Sequence, residues 1–138
     1  MSVDRPTILC IDDEAVILLA MRQELRRRFG DRYAIETALG AAEALEAIAA
    51  VEAAGSLVVL VICDWYMPVT LGDRFLASLH RSRPDIKSIL MTGQTDADAI
   101  VRAQAEAGIC ACVHKPWRPQ ELAEAIEACL GTGAARCA

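Results

Sequence analysis

Leu57-Val58-Val59-Leu60-Val61-Ile62-Cys63-Asp64, followed at once by Trp65-Tyr66-Met67-Pro68, is an apolar run with no polar face until its last residue. An unbroken run rich in valine and isoleucine is the pattern of a strand buried on both sides, as in the middle of a parallel sheet. Such a strand closes on a carboxylate where that carboxylate projects from the sheet's edge. In open parallel sheets, ligands bind in the crevice at the carboxyl ends of the strands. Asp64 therefore marks a candidate site, and Pro68 keeps the strand from running on. The competing reading makes Asp64 a cap for the following helix.

Upstream, Thr7 to Ile11 is a short apolar strand that also ends on acids, Asp12, Asp13 and Glu14. From Ala15 the period lengthens, and Leu18, Met21, Leu25 and Phe29 recur at helical spacing with arginines between them, up to Gly30. Tyr33 to Thr37 is a half-polar strand, expected nearer an edge. Gly40 to Ala54 is an alanine-rich helix whose larger residues suggest a stripe of Leu45, Ile48 and Val51.

Downstream, a turn over Val69 to Gly72 opens a helix with Phe75, Leu76 and Leu79 inward, ended by Pro84. Ser88 to Met91 is a fourth strand that delivers Thr92 and Gly93. Thr95-Asp96-Ala97-Asp98 resembles a capping box for a helix through Ala107, with Ile100, Ala103 and Ala107 on one side. Ile109 to Val113 is a fifth strand, followed by His114-Lys115-Pro116-Trp117. Pro119 suits the first turn of a last helix with Leu122, Ile126 and Cys129 inward. Five strands alternating with five helices predict an α/β fold: a doubly wound, five-stranded parallel sheet, flavodoxin-like in size. The expected domain is residues 1–130, with 131–138 a flexible tail.

Composition narrows the setting. The chain has 138 residues, 54% of them apolar, yet no run approaches the ~18 uninterrupted apolar residues of a membrane span. Met1 to Pro6 lacks a signal peptide's apolar stretch, so a soluble, cytoplasmic protein is expected. The net charge of −5 makes nucleic acid or a membrane surface an unexpected partner. Of six cysteines, Cys10 and Cys63 lie in strand-like runs, where cysteine packs as a small hydrophobe. The spacing of the others, Cys110, Cys112, Cys129 and Cys137, suggests no disulfide framework. Cys110, Cys112 and His114 would share one face of a strand, but the outer two would be about 13 Å apart, too far for one metal ion. His80 and His114 are expected to be solvated.

The strand ends carry chemistry together. Asp12-Asp13, Asp64, Thr92 and Lys115 follow strands one, three, four and five, so carboxylates, a hydroxyl and an amine converge at one edge. Close carboxylates repel, and both a hard divalent cation and an ammonium relieve that repulsion. A carboxylate can also act as a nucleophile and form an aspartyl phosphate that metal, lysine and hydroxyl stabilise. Asp64, alone at the centre, is the better nucleophile, and the adjacent pair the better metal holder.

With these residues in order, the chain resembles the receiver domain of two-component response regulators. The likeness covers Pro6 to Leu130 and rests on Asp12-Asp13, Asp64 with Met67-Pro68 and Gly72, Thr92-Gly93, and Lys115-Pro116. It implies a signalling domain, not an enzyme with its own substrate. Asp64 would accept a phosphoryl group from a histidine kinase or phosphotransfer protein. Asp13 and Asp64 would bind Mg²⁺ directly, Asp12 through water, and Tyr66 through its carbonyl. Thr92 and Lys115 would hold phosphoryl oxygens, with the Lys115–Pro116 peptide cis. Phosphorylation would remodel the face of helix four, strand five and helix five for a downstream protein, the chain being a monomer or a phosphorylation-dependent dimer.

The sequence departs from the family pattern at Cys112, where an aromatic ring is usual. Tyr66 and Gln94 occupy the two variable positions flanking the phosphoryl site. Both a stand-alone receiver and a receiver cut from a longer regulator fit. A phosphatase with an aspartate nucleophile is the competing class. Its Asp-x-Asp pattern is absent, because Tyr66 stands two residues after Asp64 and the first-strand acids are adjacent.

Overall fold

The computed structural model describes residues 5–67, 71–93 and 97–131. Strands β1 (Thr7–Ile11), β2 (Ala34–Ala38), β3 (Val58–Asp64), β4 (Lys87–Thr92) and β5 (Ala111–His114) alternate with helices α1 (Ala15–Phe29), α2 (Ala41–Ala53), α3 (Gly72–Ser82), α4 (Ala97–Ala107) and α5 (Pro119–Leu130). The strands form one parallel sheet in the order β2-β1-β3-β4-β5. This is the predicted doubly wound fold, with the half-polar β2 at an edge. β3 lies at the centre, between β1 and β4, and all but one of its residues are buried.

Alternate residues of each strand feed two cores. Leu9, Ile11, Val61, Cys63 and Leu90 pack with Ala44 and Ile48 of α2 and with Phe75, Leu76 and Leu79 of α3. Ile8, Cys10, Leu60, Ile62, Ile89 and Val113 pack with Leu18, Met21, Leu25 and Phe29 of α1 and with Leu122, Ile126 and Cys129 of α5. The stripes predicted for α1, α3 and α5 are therefore the buried ones. Among the described residues no helix is long and apolar enough to cross a membrane.

Several expectations need correction. Leu45 is 53% exposed, and α2 instead turns Ala44 and Ile48 inward, with Ala41, Ala47 and Val51 beside them. In a helix made mostly of alanine the large residues do not mark the buried face, because small side chains let the backbone approach the sheet closely. The fifth strand begins two residues later than expected, at Ala111. Cys110 thus lies outside it and does not share a face with Cys112. Cys110 and Cys129 form a disulfide across 5.9 Å between Cα atoms, with 19 residues of sequence separation. Strand periodicity could not show that pairing, which is made by α5 folding back along β5.

His80 is half-buried rather than solvated. It packs over Gly108, where an added Cβ would sit 2.6 Å from its ring, and Gly108 has a φ of +63°. A side chain there would be excluded by both space and backbone. His114 is exposed, as expected. Pro68, the turn at 68–70, Gln94 with the Thr95-Asp96 start of the capping box, and the tail at 132–138 lie outside the described residues, as does the side chain of Ala103.

Candidate functional site

Strand order places the site before any side chain is considered. The chain winds from β1 outward to β2 on one side and from β3 outward to β4 and β5 on the other. The crevice between the carboxyl ends of β1 and β3 is the switch point at which such sheets bind ligands. Asp12 and Asp13 leave β1 there, and Asp64 is the last residue of β3.

Asp12 and Asp64 are buried and Asp13 is exposed. The three offer carboxylate oxygens that all lie within 4.8 Å of one another. Lys115 reaches in from the turn after β5, its Nζ donating to Asp64 Oδ1 at 3.3 Å and lying 3.8 Å from Asp12 Oδ2. The turn is held by the Lys115 N–H, which donates to the Thr92 carbonyl at 2.9 Å. The Lys115–Pro116 peptide is cis. Thr92, fully buried, closes β4 opposite His114 of β5.

The electrostatics are unbalanced. Burial pushes the Asp12 carboxyl up to about 6, helped by the charges of Asp64 and Asp13 and opposed by the Glu14 N–H and Lys115. Burial likewise raises the Asp64 carboxyl, with Lys115 and the Tyr66 backbone N–H pulling the other way. Burial would lower the Lys115 ammonium, but Asp64, Asp12 and Glu14 outweigh it and the net shift is upward. One ammonium against three carboxylates, two of them buried, leaves an excess of negative charge in the crevice. That excess, presented by hard oxygen donors, fits a divalent cation such as Mg²⁺.

The competing roles can be weighed on geometry. Asp64 caps no helix: α3 begins at Gly72 and its N-cap position is Leu71. Asp12 does serve the start of α1, accepting the Glu14 N–H at 2.9 Å, and it faces the crevice as well. Glu14 is the contributor that spacing alone did not single out. Its N–H holds Asp12 in place and its charge acts on Lys115. An Asp two residues ahead of a helix N-cap is the local signal that could have found it.

Gly72 has a steric reason. Its N–H donates to the Trp65 carbonyl at 2.7 Å, and a Cβ there would lie 2.0 Å from the Asp64 carbonyl oxygen. Only glycine lets α3 begin this close to the end of β3. Trp65 is buried, and Tyr66, 55% exposed, stacks on it with ring centroids 6.4 Å apart at 25°. Cys112 is half-buried against the core beneath α2 and α3.

Known proteins resemble this chain in sequence and fold. Residues 8–127 match the family model described as the response regulator receiver domain. The chain is 31% identical over 121 residues to the hydrogenase transcriptional regulatory protein HoxA of Bradyrhizobium diazoefficiens, covering 88% of this chain and 23% of that one. It is 31% identical over 127 residues to the sensor kinase CckA of Brucella abortus, covering 90% of this chain and 12% of that one. It thus spans less than a quarter of the length of these two relatives. The signal receiver domain of an HD domain-containing protein from Pseudomonas fluorescens superposes with a TM-score of 0.79 at 34% identity, covering 91% of this chain and 94% of that one.

Proposed function

This chain belongs to the response regulator receiver domain family, and from that premise we propose that Asp64 is its phosphoacceptor, charged by a histidine kinase or phosphotransfer protein. The observation that carries the reading is the buried Asp64 carboxylate, held by the Lys115 ammonium at 3.3 Å and crowded by Asp12 and Asp13. An Asp64 oxygen attacks phosphorus, the new oxygen–phosphorus bond forms, and the nitrogen–phosphorus bond to the donor's histidine breaks. Lys115, already on Asp64, passes to a phosphoryl oxygen, and the Thr92 hydroxyl takes another. Asp12, Asp13, Asp64 and the Tyr66 carbonyl would hold Mg²⁺, which when bound supplies charge neutralisation for the incoming phosphoryl group. The phosphorylated pocket then draws on the Thr92 and Lys115 turns, and so on the face of α4, β5 and α5 that meets a downstream protein.

The test is incubation with Mg²⁺ and acetyl phosphate followed by intact mass. One phosphoryl group is expected on the native chain and none on Asp64→Asn. Labelling that survives in the variant would overturn the assignment of the nucleophile. Steady turnover of a small phosphomonoester would point instead to a phosphatase.

A further inference from the structure

Cys110 and Cys129 differ from the other described cysteines in a way the phosphoryl site does not explain. Cys10 and Cys63 are fully buried and out of reach of solvent. Burial raises the Cys112 thiol. Thiols held protonated this way make poor nucleophiles. The disulfide joins two unlike positions. Cys110 is exposed, with its backbone N–H tied to the Ser88 carbonyl of β4 at 2.7 Å. Cys129 is 7% exposed, in the last turn of α5, packed with Ile126 and its neighbours. The bond therefore fastens the end of α5 to an exposed residue at the edge of the sheet.

The end of α5 also buries Ile126 and packs Leu130 against the core. Gly131 ends the helix, and the Arg32–Glu127 ion pair is 3.9 Å long between half-exposed side chains, a contact worth little in water. We propose that Cys110–Cys129 is a site of reversible covalent modification, exchanging with a low-molecular-weight thiol such as glutathione and thereby controlling how firmly α5 is docked.

A thiolate attacks the sulfur of Cys110, the bond to Cys129 breaks, and Cys129 takes a proton as a thiol. A second thiol molecule attacks the mixed disulfide and releases Cys110 as a thiol. Two small thiols are oxidised to one small disulfide and the protein disulfide is reduced to two thiols. The reverse sequence restores the bond. The proposal stands independently of the role of Asp64, although α5 belongs to the face assigned to the downstream protein.

The full chain is equilibrated in glutathione buffers from fully reduced to fully oxidised, alkylated under native conditions, and mapped by peptide mass. The expected result is one transition in which Cys110 gains label as the bond opens and loses it as the bond closes, while the buried Cys10 and Cys63 stay unlabelled. Reduction should lower Tm by about 10 °C. It should also speed amide exchange in residues 126–130 by roughly tenfold or more. A Cys129→Ser variant should retain one glutathione on Cys110, and Cys110→Ser none on Cys129. A bond that survives the most reducing buffer, a pair that never closes under oxidised glutathione, or a bond from either cysteine to Cys137 would overturn the proposal. If Cys129→Ser does not fold, the native chain decides: equal amide exchange in the reduced and oxidised forms would sink it.

Discussion

Strand β1 enters the sheet on Thr7 and leaves it at Asp12, and the two residues are buried alike, at 2% and 1% exposure. Their surroundings are opposite. At the amino end, Thr7 Oγ1 lies 3.5 Å from Ser56 Oγ, and the Ser56 hydroxyl donates to the Arg5 carbonyl at 2.8 Å. These groups are neutral and supply one another's partners. At the carboxyl end, Asp12, Asp13 and Asp64 crowd a single ammonium, and burial holds two of the carboxyls above their ordinary range. A buried polar group that finds its partners within the fold stabilises it, whereas crowded like charges are stable only with a ligand to complete them. The same sheet thus has one end whose polar groups are paired and one that carries unbalanced charge.

The contrast can be broken most severely at Gly72. A Gly72→Ala methyl group would meet the Asp64 carbonyl at 2.0 Å, so α3 or the end of β3 must move. A loss of about 3 kcal/mol in chemical denaturation is expected, together with weaker phosphoryl labelling. Unchanged stability and labelling would show that the close approach is not needed.

The charged end should also be visible in pH. The Asp12 carboxyl rises from 3.8 to about 6 in the folded chain, so the metal-free fold binds a proton more tightly than the unfolded chain does. That contribution is fully present below about 3.8 and is lost as pH rises through about 6, by up to about 3 kcal/mol. Mg²⁺ held by the ionised Asp12 would compete with the proton. Urea unfolding at pH 5 and pH 7.5 should show that Mg²⁺ stabilises more at the higher pH, and equal stabilisation at both would contradict the metal assignment.

A smaller effect is expected at the mouth of the site. Hydrolysis of an aspartyl phosphate needs a water in line with the phosphorus–oxygen bond. The Tyr66 ring, anchored on Trp65, is large enough to obstruct that path. Phosphorylated protein should persist about tenfold longer than Tyr66→Asn, a barrier difference of only ~1.4 kcal/mol. Decay of the label followed by intact mass measures it, and a variant that decays no faster would remove the shielding role. Smallest of all, Ser56→Ala at the neutral end should cost about 1 kcal/mol and leave labelling unchanged. A change in labelling would mean the two ends are coupled through the sheet.

Much of this was readable before any coordinates. The apolar run ending on Asp64 could only be a central strand, because a chain segment without a polar face must be covered on both sides. The stripes Leu18-Met21-Leu25-Phe29 and Leu122-Ile126-Cys129 declared their helices for the complementary reason, charged residues standing between most of their members. Acids, a threonine and a lysine each stand next to a strand end, and parallel strands bring those ends to one edge. Local order therefore implied that Asp12, Asp13, Asp64 and Lys115 come together, with Thr92 at the end of the adjoining strand.

What remained hidden depended on distances between segments remote in sequence. The alanine-rich α2 has no contrast between its faces, so only its packing against the sheet chose Ala44 over Leu45. Gly72 reads as an ordinary turn residue until α3 is set against the Asp64 carbonyl. The Cys110–Cys129 bond belongs to neither the strand nor the helix pattern. It arises because α5 runs back beside β5, and the direction of one element against another is decided by the shared core rather than by the residues of either alone.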